Sequence, residues 1–326
     1  MLRIHRIAPL SSVQDAGRNP WRALGVPVAG PLDAWSHAVA NVLVGNPPGA
    51  AALEIGYGRS LLQFESPALV ALTGARSPLH AQGLALPMWR PLAVAAGTRL
   101  AIDPAQFGAR NYLAVCGGID SVEVLGSRSA MTDAAGFPKL LRAGDCLPLT
   151  PGGGAQWRLL RELPSGRAAR AAHWWADGEP LLDLEAHASL RVIDGAHAHL
   201  LGDRRALYLG RFTLSPAANR MAAPLLGVPL AVAAAGALPS EPVVPGTIQL
   251  PPDGRPVILQ AEAQTIGGYA RIAQLASVDL ARLAQRRPGA PIRFEPISID
   301  SAQRLVVWRH ERLMRLRIAA LERLSR

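Results

Sequence analysis

The sequence predicts a mainly β fold with a few helices. Short apolar runs separated by Gly, Pro and Asp recur from Leu53 to about Leu149, and again beyond residue 189. Only three stretches carry apolar residues at helical spacing. The 28 Pro and 31 Gly supply the turns that so many short strands need. At 326 residues and 49% hydrophobic content, the chain is long enough for two or three compact units, each with its own core.

The first helix is expected over about 32–45, in "PLDAWSHAVANVLVGN". Asp33 can cap it, Trp35, Ala38, Val39, Val42 and Leu43 form one apolar face, and Gly45 can end it in the left-handed conformation. "SLLQF", "ALVALTG", "PLAVAAGTRLAI" and "ARNYLAVCGGI" read as antiparallel strands of a sandwich or barrel. Residues 151–180, rich in Gly, Pro and Arg, read as a long connection carrying a peripheral strand. A second β-rich part runs from "SLRVIDG" through "FTLS", "GTIQLP" and "RPVILQ" to "APIRFEPIS". It includes one short helix, "SVDLARLAQRRPG", stopped by Pro288 and Gly289. In the tail, Leu305, Trp308, Leu313, Leu316, Ala320 and Leu324 recur at helical intervals, giving an amphipathic helix that packs on its own chain or on a partner. The expected units are therefore 1–195, 196–298 and the helix 299–326.

Composition excludes several classes. The net charge of +10 is almost all Arg, with Lys139 the only lysine, and it is scattered rather than clustered, so no nucleic-acid partner is expected. The apolar stretch "LLGVPLAVAAAGALP" at 225–239 is short and broken by Pro229, so it reads as core, and no membrane span is expected. The N-terminus lacks a signal-length apolar region, which points to a soluble, cytoplasmic protein. Cys116 and Cys146 fit neither a zinc pattern nor a disulfide framework and read as buried thiols. His197 and His199 would share a face on a strand, but spacing suggests no third ligand, so no metal is expected.

Three polar, turn-rich clusters could carry chemistry. "SVQDAGRNPWRALGVPVAGPLD" offers Gln14, Asp15, Arg18 and Arg22; an Asp and an Arg three residues apart serve either as base and anion anchor or as a structural ion pair. "VCGGIDSVEVLGSRSAMTDAAGF" offers Gly117-Gly118 and the Gly126-Ser127-Arg128-Ser129 turn, which can present N–H groups and a guanidinium to an anion or be an ordinary hairpin loop. "AEAQTIGGYARI" follows an apolar run with Gln264, Thr265, Gly267, Gly268 and Tyr269. It reads equally as a binding loop and as a hairpin whose Tyr269 hydroxyl caps the core.

Taken in order, the strings "SVQDAGR", "LGVPVAGPLD", "ANVLVGN", "AALE", "LTGA", "GARNYLAVCGGID", "VLGSRS", "LRAGD", "NRM", "PVVPGTIQLPPDGRPVIL" and "QTIGGY" resemble the C-type subunit of bacterial 5-oxoprolinase. Its wider family takes in proteins like the second allophanate-hydrolase subunit, the antagonist of a sporulation-kinase inhibitor and part of the carboxyltransferase region of urea carboxylase. The resemblance spans residues from about 3 to 298. It implies cyclophilin-like β-barrel subdomains of the carboxyltransferase A and B type, a sister protein of the B type, and a third, A-type subunit. The implied reaction is ATP-driven opening of the lactam of 5-oxo-L-proline to glutamate. Asp15, Arg18 and Gln264 are the implied catalytic residues, as base, anion contact and part of the substrate cradle. Gln14, Arg128, Thr265, Gly267, Gly268 and Tyr269 are the implied substrate contacts.

The chain has no G-x-x-x-x-G-K-[ST] phosphate loop and no Ala-Met-Lys-Met biotinylation sequence, so ATP belongs to the complex and any biotin to another polypeptide. It departs from the family pattern at Ala196 and His197, at Ala222 and Pro224, and at Ile266, where a hydroxyl is usual. Two other functions fit the same resemblance: a carboxyltransferase component acting on a urea-like amide, and a non-catalytic partner of a B-type, kinase-inhibitor-like protein.

Overall fold

The structure, a computed structural model, describes residues 1–132, 134–178, 189–231 and 238–325. It is mainly β, with a few helices. In the first sheet Cys146–Leu147, Leu2–Arg6, Ser60–Phe64, Arg99–Ile102, Leu79–Ala81 and Leu84–Leu86 lie side by side in that order. In the second the order is Ala169–Ala171, Leu92–Val94, Ala68–Arg76, Phe107–Val115, Ala52–Ile55 and Ser12–Gln14. All pairings in both are antiparallel.

The two sheets face each other across one core. Leu2, Ile4, Leu62, Phe64, Leu100 and Ile102 come from the first, and Val70, Leu72, Leu113 and Val115 from the second. The alternate residues of the second sheet, Leu69, Ala71, Tyr112 and Ala114, point the other way and pack on Trp35, Val39 and Leu43 of the helix Ala34–Leu43. Covering both faces explains why "ALVALTG" is apolar throughout rather than alternating. The helix ends as expected. The Asp33 carboxylate accepts from the Ser36 N–H at 2.9 Å, and Gly45, at φ 81°, donates to the Val42 carbonyl.

The third sheet runs Pro291–Ile292, Phe212–Leu214, Ala222–Leu226, Val257–Leu259, Thr247–Leu250, Ala270–Leu275, Leu190–Asp194 and Phe294–Pro296. Its first and last strands are separated in sequence by Arg293 alone, so the sheet must curl until its edges nearly meet. The Phe212 and Phe294 rings, 5.9 Å apart between centroids, pack across that seam. Leu190–Asp194 pairs with Ala270–Leu275 and, in parallel, with Phe294–Pro296, so this barrel takes in strand residues on the N-terminal side of the expected 195/196 boundary.

Three local expectations change. The 151–180 connection holds a helix, Gly154–Arg161, that its glycines conceal; the expected peripheral strand, Ala169–Ala171, is the edge of the second sheet, and residues 179 and 180 lie outside the described residues. In the 225–239 stretch Leu225 and Leu230 are buried but Leu226 and Val228 are exposed, and residues 232–237 lie outside the described residues. The "SVDLARLAQRRPG" helix is split into a 3-10 turn, Ser277–Asp279, and a short α-helix, Leu280–Ala284.

The C-terminal helix, Ile299–Ser325, packs on its own chain. Leu313, Leu316 and Leu324 join the cluster under the Ala34–Leu43 helix, while Ala302 and Leu305 pack on Ala276 and Val278 beside the barrel. Trp308, expected on the apolar face, stays 44% exposed beneath the Arg312 guanidinium. No helix among the described residues is long and apolar enough to cross a membrane.

Candidate functional site

The three polar clusters meet. The Asp15 carboxylate accepts from the Gly17 N–H at 2.9 Å, the Ser127 hydroxyl at 2.5 Å, the Arg128 N–H at 2.6 Å and the Ser129 hydroxyl at 2.7 Å. Burial alone would push its pKa up, but these donors outweigh it and hold the carboxyl below the ordinary value. The anion cradled by the Gly126–Ser129 turn is therefore Asp15 itself. A carboxylate so fully hydrogen-bonded is a clasp between two loops and a poor base. The Arg128 guanidinium is likewise spent, on the Ser121 carbonyl, Asp120 and Glu123. Gly117 and Gly118 present no free donors either, since their N–H groups reach Asn46 Oδ1 and the Val115 carbonyl.

Arg18 lies behind this clasp, only 1% exposed. It donates through Nη2 to the Ser129 carbonyl at 2.6 Å and stacks on Phe137 at 4.9 Å, yet its Nη1 has no acceptor. Burial draws the guanidinium pKa down, and the charges of Asp15 and Glu262 pull it back. Gln14 is also fully buried; its Nε2 donates to Ser12 Oγ and its Oε1 has no partner. Buried polar atoms without partners are rare and call for an explanation.

The 261–264 segment joins through Glu262 and the backbone. Thr132 N–H donates to Glu262 Oε2 at 2.9 Å, and Ala29 N–H to the Ala261 carbonyl at 3.0 Å. Glu262 Oε1 accepts from Arg220, which also reaches Glu54 Oε1 and the Gly30 carbonyl. Glu54 in turn accepts from the Tyr112 hydroxyl and the Leu32 N–H, both at 2.8 Å. Burial pushes the Glu54 pKa up, but Arg220 and Arg110 with these hydrogen bonds hold it down. Burial pulls Arg220 down, and Glu54 and Glu262 raise it beyond the ordinary value. Gln285 extends the network, donating to Asp33 Oδ2 and accepting from the Ala109 and Arg110 N–H groups.

Beyond Glu262 the chain rises to the surface. Ile266–Gly267 pairs with Glu241–Pro242 in a two-stranded ribbon, where Ile266 and Tyr269 stand 59% and 51% exposed. Tyr269 therefore does not cap the core. Thr265 gives its carbonyl to the Val243 N–H, and Gly268 faces Ser240 and the Leu238 carbonyl. Gln264 is exposed and donates to Gln249 Oε1 at 3.5 Å. His197 and His199 are not on a strand. His197 precedes the 3-10 turn Ala198–Leu200 and accepts at Nδ1 from the Arg271 N–H, and the two rings lie 6.3 Å apart. A separate pocket of about 590 Å3 is lined in part by Asp194, Arg204 and Tyr208, and these spend their polar groups on one another.

Gln14, Asp15, Arg18, Arg128 and the start of the 261–269 segment thus share one neighbourhood, and the exposed ribbon extends it. Glu54, Tyr112, Arg220 and Glu262, which hold it together, are not among the candidates that the polar loops suggest. The first three lie in "AALE", "GARNYLAVCGGID" and "NRM" among the ordered strings, and Glu262 in "AEAQTIGGYARI".

Comparison with known proteins shows the family and the fold. Residues 24–296 match the family described as carboxyltransferase domain, subdomain A and B. The chain is 36% identical over 308 residues to the 5-oxoprolinase C subunit of Escherichia coli, covering 93% of each chain. It is 30% identical to the C subunit of Haemophilus influenzae 5-oxoprolinase, covering 94% of each. Among solved structures, K. lactis urea amidolyase superposes with a TM-score of 0.83 at 25% identity, over 97% of this chain and only 20% of that one.

Proposed function

The chain belongs to the carboxyltransferase family of subdomains A and B, and from that premise we propose that it is the C-type subunit of an ATP-dependent 5-oxoprolinase. It would open the lactam of 5-oxo-L-proline to L-glutamate in a cytoplasmic assembly with its B-type sister protein and an A-type partner. The observation that carries this reading is the match to the C-type relative along 93% of both chains, against a fifth of the urea amidolyase chain.

A lactam carbonyl is a poor electrophile. Transfer of a phosphoryl group from ATP to its oxygen makes the ring carbon open to water; one water adds, the C–N bond breaks with the amine taking a proton, and a second water hydrolyses the resulting acyl phosphate to carboxylate and phosphate. The protein must hold the charge on that oxygen and place the substrate. Arg18, whose buried Nη1 has no acceptor, is our choice for the anion contact. Gln14, Gln264, Thr265, Gly267, Gly268 and Tyr269 are assigned to the substrate. Asp15 and Arg128 become positioning residues, because their own hydrogen bonds tie the two loops together. With no phosphate loop in this chain, ATP is bound at the level of the complex.

The test is 5-oxoproline-dependent ATP hydrolysis by the chain co-purified with its A-type and B-type partners. Gln264→Ala and Arg18→Met should each lower kcat/KM at least tenfold with assembly intact. An intact assembly that leaves 5-oxoproline untouched ends the reading. The superposition over 97% of this chain favours one other function, carboxyl transfer to a urea-like amide from a biotin carried elsewhere. Turnover of urea or allophanate in the same assay, dependent on a biotin carrier, would establish it instead.

A further inference from the structure

Gln249 is the most completely buried polar side chain beside the ribbon, at 2% exposure, and its Nε2 has no acceptor. It stands on Thr247–Leu250 directly opposite Arg271 of the neighbouring strand, whose buried Nε is unpaired as well. Two buried donors without acceptors on register-paired residues call for an explanation, and one oxygen atom could satisfy them. The ribbon is shaped around this amide. A Cβ on Gly267 would lie 2.6 Å from Gln249 Nε2, so glycine lets the backbone pass there without displacing the amide. Gln264 gives its Nε2 to Gln249 Oε1, which leaves the Gln264 Oε1 as the end available to a ligand.

We propose that Gln249 and Gln264 form an amide-reading pair: Gln249 Nε2, backed by Arg271 Nε, donates to the substrate carbonyl oxygen, and Gln264 Oε1 accepts the substrate N–H. A ring holds its amide cis, so that C=O and N–H point the same way and match one donor beside one acceptor. The ligand class is thus a cyclic or otherwise cis-presenting small amide. This inference rests on the amide-opening function proposed above and adds to it a residue, Gln249, that the sequence motifs did not single out.

The reconstituted complex tests it through Gln249→Met, which keeps the volume and removes both polar ends, and Gln249→Glu, which keeps the acceptor for Gln264 and turns the donor into a second acceptor. KM for 5-oxo-L-proline should rise about tenfold in the first, the factor for a lost hydrogen bond worth ~1.4 kcal/mol, and further in the second, with kcat nearly unchanged. The unfolding midpoint of Gln249→Met should hold or rise, because a buried unpaired donor is gone. An unmoved KM in both variants, or a fall in midpoint as the sole effect, overturns the proposal. Should the wild-type complex leave 5-oxoproline untouched, the functional reading fails by itself. Gln249 is then judged by titrating the full chain with 2-pyrrolidone and following its side-chain amide by NMR: a saturable shift supports the pair, and none overturns it.

Discussion

Arg220 and Glu54 stand 166 positions apart in sequence and form an ion pair with 3% and 2% of their side chains exposed. Arg220 precedes the Ala222–Leu226 strand of the third sheet and Glu54 lies on a strand of the second, so the pair is a joint between the two units, and Glu262 completes it. Arg220→Met would leave the two buried carboxylates without the guanidinium that pairs with both. We expect it to cost about 3–5 kcal/mol in urea unfolding. The triple change with Glu54→Gln and Glu262→Gln should recover much of that loss. A single-variant cost below about 1 kcal/mol would mean the joint is held elsewhere.

The Asp15 clasp sets a pH dependence. Its folded pKa is depressed, so its stabilisation is complete above the unfolded value of about 3.9 and is lost as pH falls through the lower folded value. The stability gap between wild type and Asp15→Asn should therefore be about 1–3 kcal/mol at pH 7 and close progressively below pH 4. Urea midpoints between pH 7 and pH 3 report it; a gap that stays constant to pH 3 contradicts the clasp.

Two glycines separate strain from crowding. Gly126 has φ 73° with open space around a Cβ, whereas Gly117 has φ 89° and a Cβ there would meet the Thr150 carbonyl at 2.2 Å. Gly126→Ala should cost about 1–2 kcal/mol for the left-handed conformation alone. Gly117→Ala adds overpacking, about 1–3 kcal/mol more. Equal thermal shifts for both would refute the crowded approach.

The C-terminal helix offers a matched pair. Leu324 is buried against the Ala34–Leu43 cluster, while Leu321 is largely exposed. Leu324→Ala should lose about 2–4 kcal/mol and Leu321→Ala no more than about 0.5. Calorimetry of the two variants checks the packing, and similar losses would place the helix differently.

Periodicity made much of the fold legible. "ALVALTG" and "ARNYLAVCGGI" are strands because nothing in them stops a ladder, and Asp33 with Gly45 marks both ends of a helix. What periodicity could not carry were pairings set by the whole chain. Leu190–Asp194 looks like any short strand, and only its partners far downstream assign it to the barrel. The site divides in the same way. Asp15, Arg18 and Gln264 announce themselves in polar loops, but Glu54 and Gln249 are single polar residues inside apolar runs. Their burial and their partners are tertiary facts. The same holds for Arg128, whose turn has the composition of an anion site and is filled by Asp15 of its own chain.

The seam between Pro291–Ile292 and Phe294–Pro296 also fixes an order of events during synthesis. Until residues 294–296 leave the ribosome, Leu190–Asp194 keeps an open side with unpaired N–H and C=O groups, a template for another strand. The barrel's last stitch joins segments about a hundred residues apart, a slow, non-local closure. A chain that ends between residues 275 and 294 therefore keeps one open, aggregation-prone strand edge. The long terminal helix emerges immediately afterwards to lock the finished barrel against the other unit.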